Sequence, residues 1–240
     1  MVKVWAHRGA SGDAPENTLA AFRRAAELGA DGVEFDVQLS RDGEIVVIHD
    51  ETVDRTTNGC GQVVDLTWEE LSRLDAAVGW DDFAPQPIPS LRQVLEALAA
   101  TELDLNIELK DSVVPYPGLG DKVSRLIDEF DLGHRVTLSS FNHCSLARLR
   151  QSGSMLRTGV LFTDILYQPW AYAPQLWATA LHPELHYVDY VLDLVQEAHL
   201  SHLEVNVWTV NQPAEIERMA ARGVDAIITD HPGRARALLR

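Results

Sequence analysis

The feature that most constrains the fold of this chain is the repeated alternation of short apolar runs with longer segments of helical period. The apolar runs predict eight strands, at residues 3–6, 33–37, 103–109, 136–139, 158–162, 178–181, 203–210 and 226–229. Helical spacing predicts helices at residues 18–28, 91–99, 119–130, 145–151, 188–199, 213–222 and 231–239. Strands that alternate with helices pair in parallel, and eight of them close a barrel of about 250 residues. We therefore predict that residues 1–240 form a single α/β domain, a (β/α)8 barrel.

A ninth strand, predicted at residues 45–48, does not fit the barrel. It follows the strand at 33–37 after a short link that contains Asp42-Gly43, a dipeptide typical of hairpin turns. Because so short a link cannot hold a parallel crossover, this strand should run antiparallel to its predecessor and lie outside the eight. We expect residues 41–89 to form a small inserted hairpin and cap subregion after the second barrel strand.

Three of the predicted barrel strands alternate between apolar and polar residues. Parallel barrel strands are covered on both faces and normally consist of nearly continuous apolar residues. Since side chains alternate faces along a strand, the polar residues of each strand share one side, and we expect that side to face the barrel interior. An antiparallel sheet with one wet face would show the same alternation, but the intervening helices argue against it. The alternating polar residues are Glu34, Asp36, Asp104, Asn106, Glu108, Lys110, Glu204, Asn206 and Trp208.

The acidic members of this set predict a metal site. Buried carboxylates are unfavourable unless they are paired or bind a cation. Glu34, Asp36 and Glu108 offer three oxygen ligands without cysteine or histidine, which favours a hard divalent cation, Mg²⁺ or Ca²⁺. The alternative is an ion network with Arg8 and Lys110. Three acids against two bases leave excess negative charge, which favours the metal.

Two histidines are predicted to lie beside this acidic cluster. His7 ends the first strand, and His49 ends the antiparallel strand, where the hairpin should set it opposite residues 34–36. Histidine suits general acid–base catalysis near neutral pH, so we predict that both residues transfer protons. The other seven histidines are interpreted as structural.

Further residues near the predicted strand ends could bind a phosphorylated substrate. Arg8 and Lys110 could contact phosphate, or could only balance the acids. Asn17 could bind substrate or cap the first helix, a role that Thr18 could fill instead. Phe141 and Trp208 could form an apolar wall for a substrate tail, although core packing would also explain them.

Charge and composition limit the binding partners and the cellular location that we expect for this protein. The net charge of −16 makes nucleic acid an unfavourable partner and disfavours anionic membranes. Every apolar run is far shorter than the roughly 20 residues that a membrane span requires, and residues 1–9 do not have the pattern of a signal peptide. The two cysteines form no metal-binding or redox motif. We expect a soluble cytoplasmic protein that acts on a small molecule without stable membrane insertion. The sequence does not reveal its oligomeric state.

An ordered set of short motifs resembles the glycerophosphodiester phosphodiesterase family. Each motif is weak alone, but their order and spacing across nearly the whole chain are specific. Residues 152–202 carry little of the pattern. The matching residues are His7-Arg8-Gly9, Pro15-Glu16-Asn17-Thr18, Glu34, Asp36, Asp42-Gly43, His49-Asp50, Glu108-Leu109-Lys110, Ser140-Phe141, Trp208-Thr209-Val210-Asn211, Gly223-Val224-Asp225 and Thr229-Asp230.

The resemblance implies a TIM barrel with a small insertion after the second strand. It also implies an enzyme of lipid and glycerol metabolism that uses Mg²⁺ or Ca²⁺ to hydrolyse glycerophosphodiesters to glycerol 3-phosphate and an alcohol. The family's catalytic histidines match His7 and His49, its metal carboxylates match Glu34, Asp36 and Glu108, and its phosphate contacts match Arg8 and Lys110.

Several alternatives stay open at this point. One is a phospholipase D-type enzyme of the same fold that acts on lysophospholipids. Another is a non-catalytic barrel that binds a phosphorylated ligand. The attacking oxygen could belong to a glycerol hydroxyl or to water, and the sequence does not say which histidine is acid and which is base.

Overall fold

The computed structural model describes residues 1–239, in which eight parallel strands close into a barrel and a ninth lies outside it. Each barrel strand pairs with the next along the chain, and β1 pairs with both β2 and β9, which closes the ring. The predicted fold is therefore confirmed. The strands are β1 Lys3–His7, β2 Gly32–Leu39, β3 Ile45–Val47, β4 Asp104–Leu109, β5 Val136–Ser140, β6 Arg157–Phe162, β7 Ala180–Pro183, β8 Glu204–Val207 and β9 Ala226–Thr229.

The ninth strand, β3, forms the predicted hairpin with β2. The pairing is antiparallel, with Val37 opposite Val47 and Leu39 opposite Ile45. In the turn, Gly43 has a φ of 83° and its N–H donates to the carbonyl of Ser40 at 2.9 Å. A residue without a Cβ adopts this left-handed conformation without steric cost, which explains the Asp-Gly signal.

Helices cover the outside of the barrel and largely follow the predicted periodicity. Thr18 and Ser90 cap α1 and α3 through their side chains. The helices are α1 Leu19–Glu27, α2 Trp68–Leu71, α3 Leu91–Leu98, α4 Leu119–Glu129, α5 His143–Gln151, α6 Pro169–Tyr172, α7 Leu185–Tyr190, α8 Leu194–Leu200, α9 Pro213–Arg222 and α10 Pro232–Leu238, with 3₁₀ turns at Val63–Asp65, Gly133–Arg135 and Ala173–Leu176.

The single helix predicted at residues 188–199 is wrong. Two helices, α7 and α8, occupy this region, and Val191 between them has a φ of −103° and a ψ of 90°. Because Val188 on α7 and Leu194 on α8 are both buried, their apolar positions look like one continuous helical stripe in the sequence. Periodicity alone does not detect such a break.

The buried apolar side chains form separate clusters, and these leave the barrel mouth to polar groups. Two large clusters fill the space between strands and helices on opposite sides of the barrel. The segment between β3 and α3 packs around its own smaller cluster, which includes Val46, Val53, Leu71 and Ile88. No helix within residues 1–239 is both long and apolar enough to span a lipid bilayer.

Beneath the mouth, the barrel interior is polar, as the strand alternation predicts. Asn106 and Asn206 are buried on β4 and β8, and Ser139 and His182 are buried on β5 and β7. A Cβ on Gly159 would lie 2.3 Å from Nε2 of His182, so only glycine fits beside this imidazole. Burial lowers the pKa of His182 to about 3, and the ring is therefore neutral at physiological pH.

Candidate active site

The mouth of the barrel gathers three carboxylates from two neighbouring strands. Glu34 and Asp36 lie on β2, and Glu108 lies on β4, where its backbone is paired with Asp36. One oxygen from each carboxylate lies within 4.8 Å of the others, and all three residues are buried. The strand alternation places these side chains on the inner face: Phe35 separates Glu34 from Asp36 on β2, and Glu108 lies between Ile107 and Leu109 on β4.

Two cations lie against this cluster without filling it. Lys110 Nζ lies 3.2 Å from Glu108 Oε1 and 4.0 Å from Asp36 Oδ1, and Arg8 Nε lies 3.7 Å from Asp36 Oδ2. The Arg8 backbone N–H donates to Glu34 Oε2 at 3.0 Å. The predicted ion network therefore exists, but it supplies two positive charges to three acids.

Burial and mutual repulsion raise the pKa of two of the three carboxylates. Burial and the neighbouring carboxylates hold the pKa of Glu34 well above its usual value, and burial with Asp36 raises the pKa of Glu108 to about 7. Burial also opposes ionisation of Asp36, but His49, Arg8 and Lys110 outweigh it and lower the pKa of Asp36. A divalent cation among these oxygens would stabilise all three charged forms, so the donor set fits a hard metal ion.

His7 stands at the end of β1 and is oriented by a carboxylate from the end of β9. Its Nδ1 lies 2.6 Å from Oδ1 of Asp230, which directs Nε2 towards Glu34, 4.0 Å away. Asp230 also accepts hydrogen bonds from Ser11 Oγ at 3.1 Å and Asn211 Nδ2 at 2.6 Å. Burial opposes its ionisation, but these donors and His7 lower the pKa of Asp230 to about 2. The Asp230 side chain is therefore ionised and can accept a hydrogen bond from the Nδ1–H of His7.

His49 stands just beyond β3 and faces the same cluster, as the hairpin geometry predicts. Its Nδ1 lies 2.6 Å from Oδ1 of Asp50, and its Nε2 lies 3.2 Å from Nζ of Lys110. Burial, with Arg8 and Lys110 nearby, lowers the pKa of His49 despite the attraction of Asp36. A neutral imidazole satisfies both contacts, because it donates from Nδ1 to Asp50 and accepts at Nε2 from Lys110.

The backbone around His49 is held from the barrel by one glutamine. Nε2 of Gln38, on β2, donates to the carbonyls of Ile48, His49 and Asp50 at 3.1, 3.0 and 2.7 Å. Tyr116 Oη donates in turn to Gln38 Oε1 at 3.0 Å. The backbone that carries the His49 imidazole is thereby fixed to a barrel strand although it lies outside the barrel. Sequence reasoning missed Gln38, whose position on the inner face of β2 is its only signal.

An apolar wall faces the charged groups across the pocket. Phe141 and Trp208 meet edge to face at 5.6 Å, and Trp208 Nε1 donates to the carbonyl of His182 at 2.9 Å. Leu161 and Ile228, which sequence reasoning did not single out, complete this wall. The full lining consists of His7, Arg8, Glu34, His49, Asn106, Glu108, Phe141, Leu161, Trp208 and Ile228.

Asn17 contacts the acidic cluster and does not line the pocket between the two histidines, and its role in substrate binding stays a prediction. Its side chain is 4% exposed, and Nδ2 donates to Asp36 Oδ2 at 2.9 Å. The helix cap that Asn17 could have formed is made by Thr18, whose Oγ1 accepts from the N–H of Ala21 at 3.2 Å. In the structure Asn17 therefore supports a carboxylate of the acidic cluster.

Comparison with protein families gives one match that covers most of the chain. Residues 7–234 match the glycerophosphoryl diester phosphodiesterase family. Among curated proteins, a glycerophosphodiester phosphodiesterase from Caldanaerobacter subterraneus subsp. tengcongensis is 46% identical over 230 residues, which cover 95% of this chain and 94% of the relative. An enzyme of the same name from Bacillus altitudinis is 41% identical over 237 residues, 98% of this chain and 97% of the relative.

Solved structures give the same result at the level of the fold. A glycerophosphodiester phosphodiesterase from Agrobacterium tumefaciens superposes with a TM-score of 0.87 at 32% identity, covering 99% of this chain and 100% of the other. A phosphodiesterase from Oleispira antarctica in complex with its product, sn-glycerol-3-phosphate, superposes with a TM-score of 0.88 at 29% identity, covering 99% of this chain and 96% of the other.

Proposed function

The chain belongs to the glycerophosphoryl diester phosphodiesterase family, and from that premise we propose that it hydrolyses glycerophosphodiesters on a divalent cation, with His7 and His49 as the proton-transfer groups. Its products are glycerol 3-phosphate and an alcohol. The observation that carries the proposal is the convergence of two carboxylate-bound imidazoles on one buried acidic cluster. The product complex of the Oleispira phosphodiesterase supports glycerol 3-phosphate as the product that such a mouth accepts.

Glu34, Asp36 and Glu108 are the residues that would hold the cation. Their oxygen-only donor set favours Mg²⁺ or Ca²⁺. Such an ion, when bound, supplies positive charge that stabilises the negative charge developing on the phosphoryl oxygens. Asn17 fixes the orientation of Asp36 by its amide hydrogen bond.

Arg8 and Lys110 are proposed to bind the substrate phosphate. Both side chains point towards the carboxylate cluster. Burial lowers the pKa of each cation, but the neighbouring carboxylates outweigh this effect and raise it. Arg8 can grip two phosphate oxygens at once, whereas Lys110 offers a point charge beside His49. Together they would hold the phosphorus between the two imidazoles.

The two histidines would then divide the proton transfers. One imidazole takes the proton from the attacking oxygen as the new P–O bond forms. The other donates a proton to the departing alcohol oxygen as the old P–O bond breaks. Each Nδ1 is hydrogen-bonded to a carboxylate, so Nε2 is the ring nitrogen that would exchange a proton with substrate; at His49 the substrate would replace the 3.2 Å contact with Lys110 Nζ. Phe141 and Trp208 would contact the departing alcohol and exclude water from its side of the pocket.

We propose further that residues 1–240 act as one catalytic domain in which residues 41–89 deliver His49. A small diester fits the net charge of −16 better than nucleic acid or an anionic membrane does. Two exposed free thiols, Cys60 and Cys144, support a reducing, cytoplasmic setting.

Product analysis tests the proposed function. Purified protein is incubated with glycerophosphocholine, with glycerophosphoethanolamine and with a micellar lysophospholipid, each with added Mg²⁺ or Ca²⁺ and with excess chelator. We expect glycerol 3-phosphate from the two small diesters, and its loss on chelation. Turnover of the lysolipid alone would assign the chain to the phospholipase D-type activity instead. Full turnover in chelator would refute the role of the cation.

A further inference from the structure

Two carboxylates in the family motifs, Glu16 and Asp50, lie behind the groups described above, and one arginine connects them. Arg55 lies in the inserted segment, six residues after His49. Its guanidinium contacts two carboxylates, Asp50 and Glu16. It donates to Asp50 from Nε at 2.7 Å and from Nη2 at 3.1 Å, and to Glu16 from Nη1 and Nη2 at 2.8 Å each.

Each of these carboxylates carries a second contact that reaches the active site. Asp50 Oδ1 lies 2.6 Å from Nδ1 of His49. Glu16 Oε1 accepts from Nη1 of Arg8 at 2.9 Å. A single guanidinium therefore stands behind both a proton-transfer residue and a phosphate-binding residue, one from the inserted segment and one from the β1–α1 loop.

The geometry points to Arg55 as a positioning residue that holds His49 and Arg8 in their working orientations at the same time. This inference rests on the proposed function, because it assumes the roles given to those two residues. Arg55 itself belongs neither to the acidic cluster nor to the pocket lining within residues 1–239. Its effect on the reaction would be exerted through Asp50 and Glu16.

A purely stabilising role explains this arrangement less well. The Arg55 side chain is 48% exposed, and partly exposed ion pairs contribute little to the free energy of folding. The planar guanidinium is required because it binds two carboxylates side by side with fixed directions, which an ammonium group does not do. Conservative replacement by lysine should therefore keep the charge and the fold but lose the alignment.

The first test compares Arg55→Lys with a matched control from the same inserted segment. Arg41 is 58% exposed and contacts the carbonyl of Asp65 and the carboxylate of Glu70, away from His49. With glycerophosphocholine and a saturating cation, we expect Arg55→Lys to lower kcat by about 10- to 100-fold, the usual scale for residues that orient a functional side chain. Its melting temperature should stay close to that of the wild type, and Arg41→Lys should change neither quantity. Wild-type kcat in Arg55→Lys would overturn the inference.

A rescue experiment separates positioning from general loss of structure. Arg55→Ala is assayed with increasing guanidinium chloride at low, non-denaturing concentrations, against sodium chloride at equal ionic strength. We expect guanidinium ion to restore part of the lost kcat in Arg55→Ala and none in His49→Ala. Equal responses to the two salts, or a large fall in melting temperature that accounts for the lost activity, would contradict a positioning role.

The double variant His49→Ala, Arg55→Lys links the effect to the histidine. If Arg55 acts partly through His49, the double variant should lose less activity than the product of the two single losses. Strictly multiplicative losses would refute the connection to His49. Failure of the proposed function has a different signature, because His49→Ala would then retain near-normal activity whatever happens at Arg55.

Discussion

The two histidines of the active site make the same first contact but are supported by different parts of the molecule. His7 and His49 each hold a carboxylate at 2.6 Å through Nδ1. Behind His7, the carboxylate of Asp230 is held by neutral donors, Ser11 and Asn211, in the loops that follow β1 and β8. Behind His49, the carboxylate of Asp50 is held by a cation from the inserted segment.

One histidine at the barrel mouth is therefore supported by the barrel itself, and the other by the inserted segment. The His7 side depends on β1 and β9, whose neighbouring ends are fixed by the parallel sheet. The His49 side depends on a hairpin turn and on the amide of Gln38 that holds the backbone around it. Both histidines are equally important for the proposed chemistry. The activity should nevertheless respond differently when the structure that supports His7 or the structure that supports His49 is changed.

The largest predicted effect is shared by both sides. His7→Ala and His49→Ala should each lower kcat by roughly 10²- to 10⁴-fold, because each removes a general acid or base. KM should change little, since Arg8 and Lys110 still bind the phosphate. Steady-state kinetics on glycerophosphocholine measures this, with His186→Ala, an exposed histidine outside the pocket, as the control. Near-normal kcat in either variant would remove that histidine from the mechanism.

A smaller and unequal effect is expected when the two carboxylates become amides. Lys110 also fixes the tautomer of His49 through Nε2, whereas Nε2 of His7 lies 4.0 Å from the Glu34 carboxylate. His7 therefore depends more on its carboxylate partner. Asp230→Asn should lower kcat by about 100-fold and Asp50→Asn by about 10-fold, within the range for such orienting groups. The reverse order of the two losses would contradict the proposed difference between the sides.

The smallest effect concerns the turn that delivers His49. Gly43→Ala places a Cβ at a φ of 83°, which should cost about 1–2 kcal/mol of unfolding free energy. Gly29→Ala, after α1, is the control, with a φ of 74° and open space around the added Cβ; at Gly43 the added Cβ would lie 2.9 Å from Nζ of Lys122, the end of a flexible side chain that can move away. Both should show similar losses in denaturant unfolding, but only Gly43→Ala should lower kcat, by a few-fold. An equal kcat for the two variants would mean that the turn does not help to position His49.

Much of this site could be predicted from the sequence because its residues follow strand periodicity. Glu34, Asp36 and Glu108 break the apolar pattern of buried strands, and the Asp42-Gly43 turn brings His49 towards them. Residues that depend on contacts between distant segments could not be predicted in this way. Asp230 lies 223 positions from His7, and no local pattern indicates that the two side chains pair.

Features that the sequence did not reveal have the same origin. Asn17 has the sequence signature of a helix cap, but its contact with Asp36 depends on how the β1–α1 loop folds over β2. The break between α7 and α8 is hidden because both helices bury apolar residues at compatible spacing. Arg55 looks like one more surface charge until Asp50 and Glu16 are seen on either side of it.

The central claim is that each histidine supplies one of two different proton transfers, and a change of leaving group tests it most directly. Glycerophosphate esterified to p-nitrophenol releases an alcohol acidic enough to depart without a proton donor, so only the general base should still be needed. We predict that one of the two variants, His7→Ala or His49→Ala, regains most of its activity on this substrate while the other does not. Recovery of both variants, or of neither, would contradict the division of labour between the two histidines.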